Sequence, residues 1–317
     1  MEKREGLHVI LGAGGAVGTP LAAELLARGA KLRTVSRSGR GPAGAEALRA
    51  DLMQRGEVLG AVAEGSIVYL LAGLPYDRRV WRAQWPVIMD NAIAACAARG
   101  ARLVFFDNVY MYGRVEGPMT EATPMRPSSE KGKVRAAIAT TLLEAAAAGR
   151  VKALIARAAD FYGPHAEKTG IPSLLIVQRL AAGKPARLLV NADARHSYTY
   201  TLDCARALYP LAEADDAYGQ VWHLPTAKPA LTSREFVEIV ARELGVPPRL
   251  SVSPRWAMRV GGLFNALLRE VGEMLYQNDH DYVFDSSKFE HRFAFAPTPY
   301  DEGIRESVRF LREVASR

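Results

Sequence analysis

A chain of 317 residues with 49% apolar and 24% charged side chains has enough material for one large core, or one core and a smaller lobe, and its composition excludes a disordered or fibrous protein. The net charge of +7 comes from lysines and arginines spread along the whole length, without the clustered basic face that nucleic acid requires. No apolar run reaches the roughly 18 residues of a membrane span, the histidines and cysteines show no metal-ligand spacing, and the charged start Met1–Gly6 does not read as a signal peptide. These features predict a cytoplasmic protein with a small-molecule substrate, no nucleic-acid or membrane partner and no metal. Cys96 and Cys204 are expected as reduced core residues.

Strands and helices alternate through the first half. Leu7–Leu11 predicts a strand, a Gly-rich turn follows, and Thr19–Arg28 predicts a helix stopped by Gly29. Lys31–Val35 and Ser66–Leu71 are the next strands. Pro86–Arg99 predicts a helix closed by Gly100, and Arg102–Phe106 a strand. Glu130–Ala148 predicts a long Ala-rich helix closed by Gly149, and Val151–Ala156 another strand. Short, almost continuously apolar strands separated by helices imply a parallel sheet covered on both faces. After Gly163 prolines and aromatics rise and helices dominate. Thr232–Glu235 (T-S-R-E) is a capping box opening a helix over Ser233–Leu244, closed by Gly245. Val221–Leu224 predicts a strand returning to the main sheet. The apolar positions from Trp256 to Leu275 fall at helical spacing and predict a helix lying on a core. The expected division is a dinucleotide-binding domain over 1–165, rejoined by 200–225, and a substrate lobe over 166–199 and 226–317.

The strongest motif is Gly12-Ala-Gly14-Gly15-Ala16-Val17-Gly18, placed after a strand and opening a helix. Such a turn lets backbone approach a pyrophosphate, and the helix N-terminus offers free N–H groups and partial positive charge to it. The next strand ends in Ser36-Arg37-Ser38, with Arg40 close by and no acidic residue. A guanidinium there can pair with the 2′-phosphate of NADP, where an acid would favour the ribose hydroxyls of NAD. NADP is therefore expected over NAD.

With these residues the chain resembles the extended short-chain dehydrogenase/reductase family, which includes nucleotide-sugar epimerases and dehydratases. The resemblance extends along nearly the whole length. It implies a Rossmann-like doubly wound α/β sheet with a smaller, mostly helical C-terminal substrate lobe. It assigns Asp51 and Leu52 to the adenine and Leu71, Ala72 and Gly73 to the cofactor's flank. Met111-Tyr112-Gly113, Arg157 with Phe161-Tyr162-Gly163-Pro164, and Arg195-His196-Ser197 with Asp203 match further family segments. Arg195 is thereby a candidate for a substrate phosphate or carboxylate, or for a structural acid.

The catalytic positions depart from the family, which keeps a Ser or Thr after the fifth strand and Tyr-x-x-x-Lys at the start of the next helix. Asn108 stands at the first position. Ser129-Glu-Lys-Gly-Lys133 aligns with the second, so that Lys133 is retained and Ser129 replaces the tyrosine. A serine hydroxyl is too weak an acid to take over at neutral pH. Tyr110 is the first substitute as acid/base, with a pKa expected to be lowered by Lys133 and the oxidised nicotinamide. Tyr76 and Tyr162 are second choices and candidate substrate contacts, with His165 nearby; Tyr112 and Tyr162 read first as packed structural residues, and Tyr110 equally as packing or substrate contact. Asp107 reads as a turn residue, with a carboxylate supporting the site from behind as the alternative. The function expected is an NAD(P)-dependent oxidoreductase or epimerase/dehydratase acting on a small carbonyl, hydroxyl or nucleotide-sugar-like substrate through a non-standard acid/base. The alternative is a non-catalytic NADP-binding regulatory or redox-sensing protein. A homodimer is expected, paired through the helices Pro86–Arg99 and Glu130–Ala148, where Ala94, Ala95, Ala137 and Ala145 allow close approach.

Overall fold

A computed structural model describes residues 6–316; residues 1–5, which hold most of the charged start, and 317 lie outside the described part. The first half lays down β1 (His8–Leu11), α1 (Gly18–Ala27), β2 (Leu32–Ser36), β3 (Glu46–Arg49), α2 (Arg55–Ala61), β4 (Ile67–Leu70), α3 (Arg78–Ala98), β5 (Arg102–Asp107), α4 (Glu130–Ala147) and β6 (Lys152–Arg157). There follow β7 (Asp160–Tyr162), α5 (Gln178–Ala181), β8 (Ala186–Leu189), β9 (Arg195–His196), β10 (Tyr198–Tyr200), α6 (Thr201–Glu213) and β11 (Val221–His223). The chain ends with β12 (Leu231–Thr232), α7 (Ser233–Leu244), β13 (Leu250–Ser253), α8 (Arg255–Phe264), α9 (Ala266–Gly272), α10 (Ser287–Phe293) and α11 (Tyr300–Ala315).

Seven strands form one parallel sheet in the order β11-β6-β5-β4-β1-β2-β3. β1 and β4 are buried at every residue, which is why they read as continuous apolar runs. Alternate residues serve two cores. Val9, Leu11, Val68 and Phe105 pack with Trp85 and Met89 of α3 and Leu142 of α4, while Ile10, Tyr69 and Val104 pack with Leu21 of α1 and Leu208 of α6. Strand order reverses between β1 and β4, so a crevice opens beyond their carboxyl ends, the place where open α/β sheets take their ligands.

The smaller lobe packs around Tyr162, Tyr198, Tyr200, Phe236, Val240 and Tyr300. Its helix α7 starts with the reciprocal capping box of Thr232 and Glu235 and stops at left-handed Gly245. Three two-stranded sheets, β7–β10, β8–β13 and β9–β12, thread between its helices. The chain then returns to the larger unit: Phe289 and Phe293 of α10 lie against Trp222 of β11.

Three elements differ from expectation. β3 is a largely exposed edge strand without apolar alternation, so no pattern announces it. α3 begins two turns before Pro86, because the Asp77 carboxylate accepts the N–H groups of Arg79 (2.7 Å) and Val80 (3.3 Å); Pro86 lies inside the helix, exposed. The stretch Trp256–Leu275 is not one helix on a core. It breaks at Asn265, whose side chain caps α9; the apolar positions from Trp256 to Leu267 face outward, while Leu268, Val271 and Leu275 pack with Met258 and Leu189 in a small core.

Candidate functional site

A cleft of about 490 Å³ runs along the crevice, lined by Gly12, Gly14 and Gly15, by Ser36, Arg37 and Ser38, by Asp51 and Leu52, and by Ala72 and Gly73. Gly12 has φ +95, and a Cβ there would stand 2.8 Å from the Ala72 backbone; a Cβ on Gly18 would stand 2.7 Å from the Ala13 carbonyl. These two glycines let the turn fold tightly. Gly14 and Gly73 do the opposite: a Cβ on either meets nothing within 4 Å, so bare backbone faces open space. The first turn of α1 has neither a side-chain cap nor an acidic residue; the Thr19 N–H is bonded to the Gly15 carbonyl and Pro20 has none, so the backbone left to a ligand is that of the glycine turn itself up to Gly18. This cradle fits a dinucleotide pyrophosphate. Ala16, Val17 and Leu71 are buried and form the floor beneath it. Arg37 is exposed at the end of β2 and has no acidic partner among the described residues. Asp51 turns one carboxylate oxygen to the Met53 N–H at 3.0 Å.

At the other end of the crevice, α4 starts from Ser129, whose Oγ accepts the Gly132 N–H at 3.0 Å. This cap sets the helix phase. Lys131, Gly132, Arg135, Ile138, Ala139 and Leu142 face inward and are buried, and a Cβ on Gly132 would stand 2.5 Å from the Tyr110 carbonyl. Lys133 faces outward, 62% exposed, its Nζ 2.7 Å from Glu130. Lys131 and Arg135 are therefore a four-residue pair that looks into the protein, whereas of Ser129 and Lys133 only the buried Ser129 does.

Lys131 is wholly buried. Its Nζ donates to Glu270 Oε2 (2.5 Å) and Glu273 Oε1 (2.6 Å) and lies 4.3 Å from the centre of the Tyr76 ring. Both carboxylates also cap helices: Glu270 accepts the Arg78 N–H at the start of α3, and Glu273 the Glu130 N–H at the start of α4, each at 2.9 Å. Asp107 is a hub and not a turn residue. Its Oδ1 accepts Arg135 Nε at 2.7 Å and its Oδ2 faces Arg157 Nε at 3.4 Å. Arg157 Nη1 donates to the Tyr112 hydroxyl at 2.8 Å, which stands 2.6 Å from His223 Nε2. His223 Nδ1 lies 2.8 Å from the Asp285 carbonyl, so the network assigns the proton to Nδ1 and the acceptor role to Nε2. Burial, with the Arg157 charge nearby, pushes the His223 pKa down to about 3.

Other sequence candidates find different places. Asn108 Oδ1 accepts the Tyr110 N–H at 3.0 Å, closing a turn. Tyr110 is buried and stacked on Trp81 at 6.1 Å, and burial raises its phenol well above the ordinary range. The expected lowering fails because the Lys133 ammonium points outward. Tyr76 lies edge-on to Trp81, the ring on which Tyr110 stacks. Tyr162 is no substrate contact: it is packed among Tyr200, Phe236 and Tyr300, with its hydroxyl unpartnered. His165 rests on Phe310, 4.7 Å between ring centres. Arg195 is exposed and donates to the Ala230 carbonyl at 2.9 Å, outside both cavities.

The sequence reading missed Lys131, Arg135, Glu270 and Glu273, and also the pair of Asp160 Oδ2 and His196 Nε2, 3.1 Å apart, which lines a small second cavity with Tyr198 and Ser233. The Ser129-Glu130 start of α4, a cap followed by a first-turn acid, was the signal that sets the phase and turns Lys131 inward. No group of three or more metal-ligating side chains occurs among the described residues, and no helix is long and apolar enough to cross a membrane. Cys96 and Cys204 are buried free thiols, and burial pushes that of Cys96 up to about 12.

Comparison with known proteins agrees with this geometry. Residues 8–224 match the model of the NAD dependent epimerase/dehydratase family. The chain is 28% identical over 261 residues to a dTDP-6-deoxy-L-talose 4-dehydrogenase (NAD(P)(+)) of Kitasatospora kifunensis, covering 77% of this chain and 81% of that one. It is 34% identical over 173 residues to a 2'-dehydrokanamycin reductase of Streptomyces kanamyceticus, covering 53% and 49%. Among solved structures, the UDP-glucose 4-epimerase of Thermus thermophilus in complex with NAD superposes with a TM-score of 0.79 at 20% identity, over 96% of this chain and 99% of that one.

Proposed function

The chain belongs to the NAD dependent epimerase/dehydratase family, and from that premise we propose that this NAD(P)-dependent enzyme prefers NADP and reduces a ring ketone of a sugar or sugar-like substrate. The observation that carries the cofactor preference is Arg37. Its exposed guanidinium lines the cleft at the end of β2 with no acidic partner among the described residues, beside two serine hydroxyls. An adenosine 2′-phosphate there gains charge-assisted hydrogen bonds that a bare ribose does not. The sugar-ketone reading is supported by the names of the two relatives above, both of which join a sugar carbonyl to its alcohol.

When bound, the nicotinamide supplies the hydride. The chain's part is the proton. Burial keeps the Tyr110 phenol protonated, so it can serve only as a donor to a forming alkoxide and not as a base. Tyr76 packs over the Lys131 ammonium, whose charge Glu270 and Glu273 already balance, so this cluster fixes the wall beside Tyr110 and adds no net positive charge to it. Residues 166–199 and 226–317 supply most of the substrate lobe in this reading. Buried, unpaired cysteines suit the reducing cytoplasm. The outer faces of α3 and α4 pair across a two-fold axis, with Ala94 half-buried and Ala137 exposed, whereas Ala95 and Ala145 are already buried within the protomer. Light scattering that finds only a 34.5 kDa species removes this dimer.

Titration of NADPH and NADH against wild type and Arg37→Ala tests the cofactor reading. NADPH is expected to bind more tightly, and the variant to lose on the order of 1.5–3 kcal/mol for NADPH alone. Equal affinities in wild type overturn it. With a sugar ketone found by NADPH oxidation, Tyr110→Phe is expected to slow turnover by about 10²–10⁴-fold at unchanged cofactor affinity. Full activity of that variant removes Tyr110. Tight NADPH binding without turnover on any carbonyl substrate favours a cofactor-bound regulatory protein.

A further inference from the structure

The α8–α9 hairpin turns an apolar face to solvent. Trp256 is 70% exposed, Val260 51%, Leu263 75%, Phe264 88% and Leu267 60%. On α8 these positions follow helical spacing and form one stripe. The opposite side of α8 carries buried Met258 and Gly262 and faces the protein. The helices cross closely at glycines: a Cβ on Gly261 would stand 2.7 Å from Leu268 Cδ1, and one on Gly262 3.3 Å from the Arg269 Cα. The hairpin is held from beneath by Glu270 on Lys131 and by Met258, Leu268 and Val271 packed with Leu189 and Leu275, with the exposed stripe on the other side. Soluble monomers rarely present a contiguous apolar surface of this kind without a partner.

Charge identifies the partner. From Gly245 to Arg269 the sequence contains no Asp or Glu but four arginines. Arg255 is paired with Asp279, while Arg249, Arg259 and Arg269 are exposed and have no acidic partner among the described residues. Arg259 lies on the flank of the stripe, three residues after Trp256. An amphipathic helix with Trp, Phe and Leu on one side, the unpaired Arg259 at its margin and Arg249 and Arg269 on the adjoining segments matches an anionic lipid interface, with rings and aliphatic chains below the headgroups and the guanidinium among the phosphates. A second copy fits less well, because a two-fold axis through the stripe brings Arg259 near its own symmetry mate.

We propose that the α8–α9 hairpin is a docking surface for an anionic phospholipid bilayer, which the protein touches without spanning. The fold supplies its own probe. Trp81, Trp85 and Trp222 are 6%, 2% and 4% exposed, so Trp256 alone among the four tryptophans is free to change its surroundings. The test uses the full chain with vesicles of phosphatidylcholine alone or mixed with phosphatidylserine. Expected are co-sedimentation and a blue shift of tryptophan emission with the mixed vesicles, both weakened by salt. Leu263→Asp with Phe264→Asp abolishes both. Arg259→Glu lowers partitioning on the order of tenfold. The substituted side chains are exposed, so thermal stability and NADPH binding serve as controls and stay unchanged. Absence of binding to phosphatidylserine vesicles at low salt overturns the proposal. So does a concentration-dependent dimer that Leu263→Asp dissolves, since the stripe then belongs to a second copy.

Discussion

The two ends of the crevice are built on opposite plans. The cofactor end is backbone and open space: Gly14 and Gly73 face the cleft, the first turn of α1 is uncapped, and the guanidinium of Arg37 stands free. The reaction end is filled with side chains that already satisfy one another. Lys131 holds Glu270 and Glu273, Asp107 holds Arg135 and Arg157, and Tyr112 joins Arg157 to His223. One end waits for charge to be brought to it, and the other carries its own countercharges. Substitutions at the first should therefore change affinity and spare stability. Substitutions at the second should damage stability before any question of chemistry arises.

The largest effect is expected at Asp107. It is buried between two buried arginines, so Asp107→Ala leaves both guanidiniums without their carboxylate. Breaking such a pair costs about 3–5 kcal/mol. Chemical denaturation should show that loss, and a drop below about 1 kcal/mol means that water or rearranged side chains replace the carboxylate.

Next comes pH. His223 is neutral in the fold, with its pKa held down to about 3, and burial brings His8 down to about 4. The unfolded chain takes up these protons near pH 6.5. Each group's stabilisation is therefore fully present above about pH 6.5 and is lost as pH falls towards the folded values. The melting temperature should fall between pH 7 and 4.5, and His223→Gln should flatten that fall, although it starts lower by losing the stacking on Phe284 at 4.0 Å. Equal slopes in both proteins mean that His223 is charged in the fold.

At the cofactor end, Gly14→Ala places a methyl group in open space and should leave unfolding unchanged. The same methyl stands where a pyrophosphate approaches backbone, so dinucleotide affinity should fall. A variant that keeps full affinity shows that the cradle lies elsewhere along the turn.

The same contrast explains what the sequence could disclose. The sheet was readable because buried parallel strands are continuous apolar runs. The cofactor end was readable because its groups sit in short contiguous segments, Gly12–Gly18 and Ser36–Ser38. The reaction end draws its countercharges from afar: Lys131 meets Glu270 and Glu273 from a helix near the other end of the chain. No local pattern contains that pairing. The stripe of α8 was visible as a periodicity, but periodicity marks an apolar face without saying whether protein covers it. Lys133 faces outward while Lys131 is buried, and the reason is helical. A shift of two residues rotates a side chain by roughly 200°, from the inner face of a helix to its outer one.

That rotation sets the smallest expected effects. Ser129 acts through its cap on Gly132, so Ser129→Ala should cost about 1 kcal/mol of stability, as lost N-caps do, and Ser129→Asp should restore it because a carboxylate caps equally well. Neither should change the pH profile of turnover, since no proton passes through the hydroxyl. Lys133 holds Glu130 at the surface, and its loss should be silent: Lys133→Met is expected to leave NADPH affinity, turnover and melting temperature unchanged. The family resemblance implied the opposite, a lysine that grips the nicotinamide ribose. If Lys133→Met weakens NADPH binding and slows turnover, α4 presents residues 129 and 133 to the cofactor, and the inward pair of Lys131 and Arg135 is a structural feature of the core.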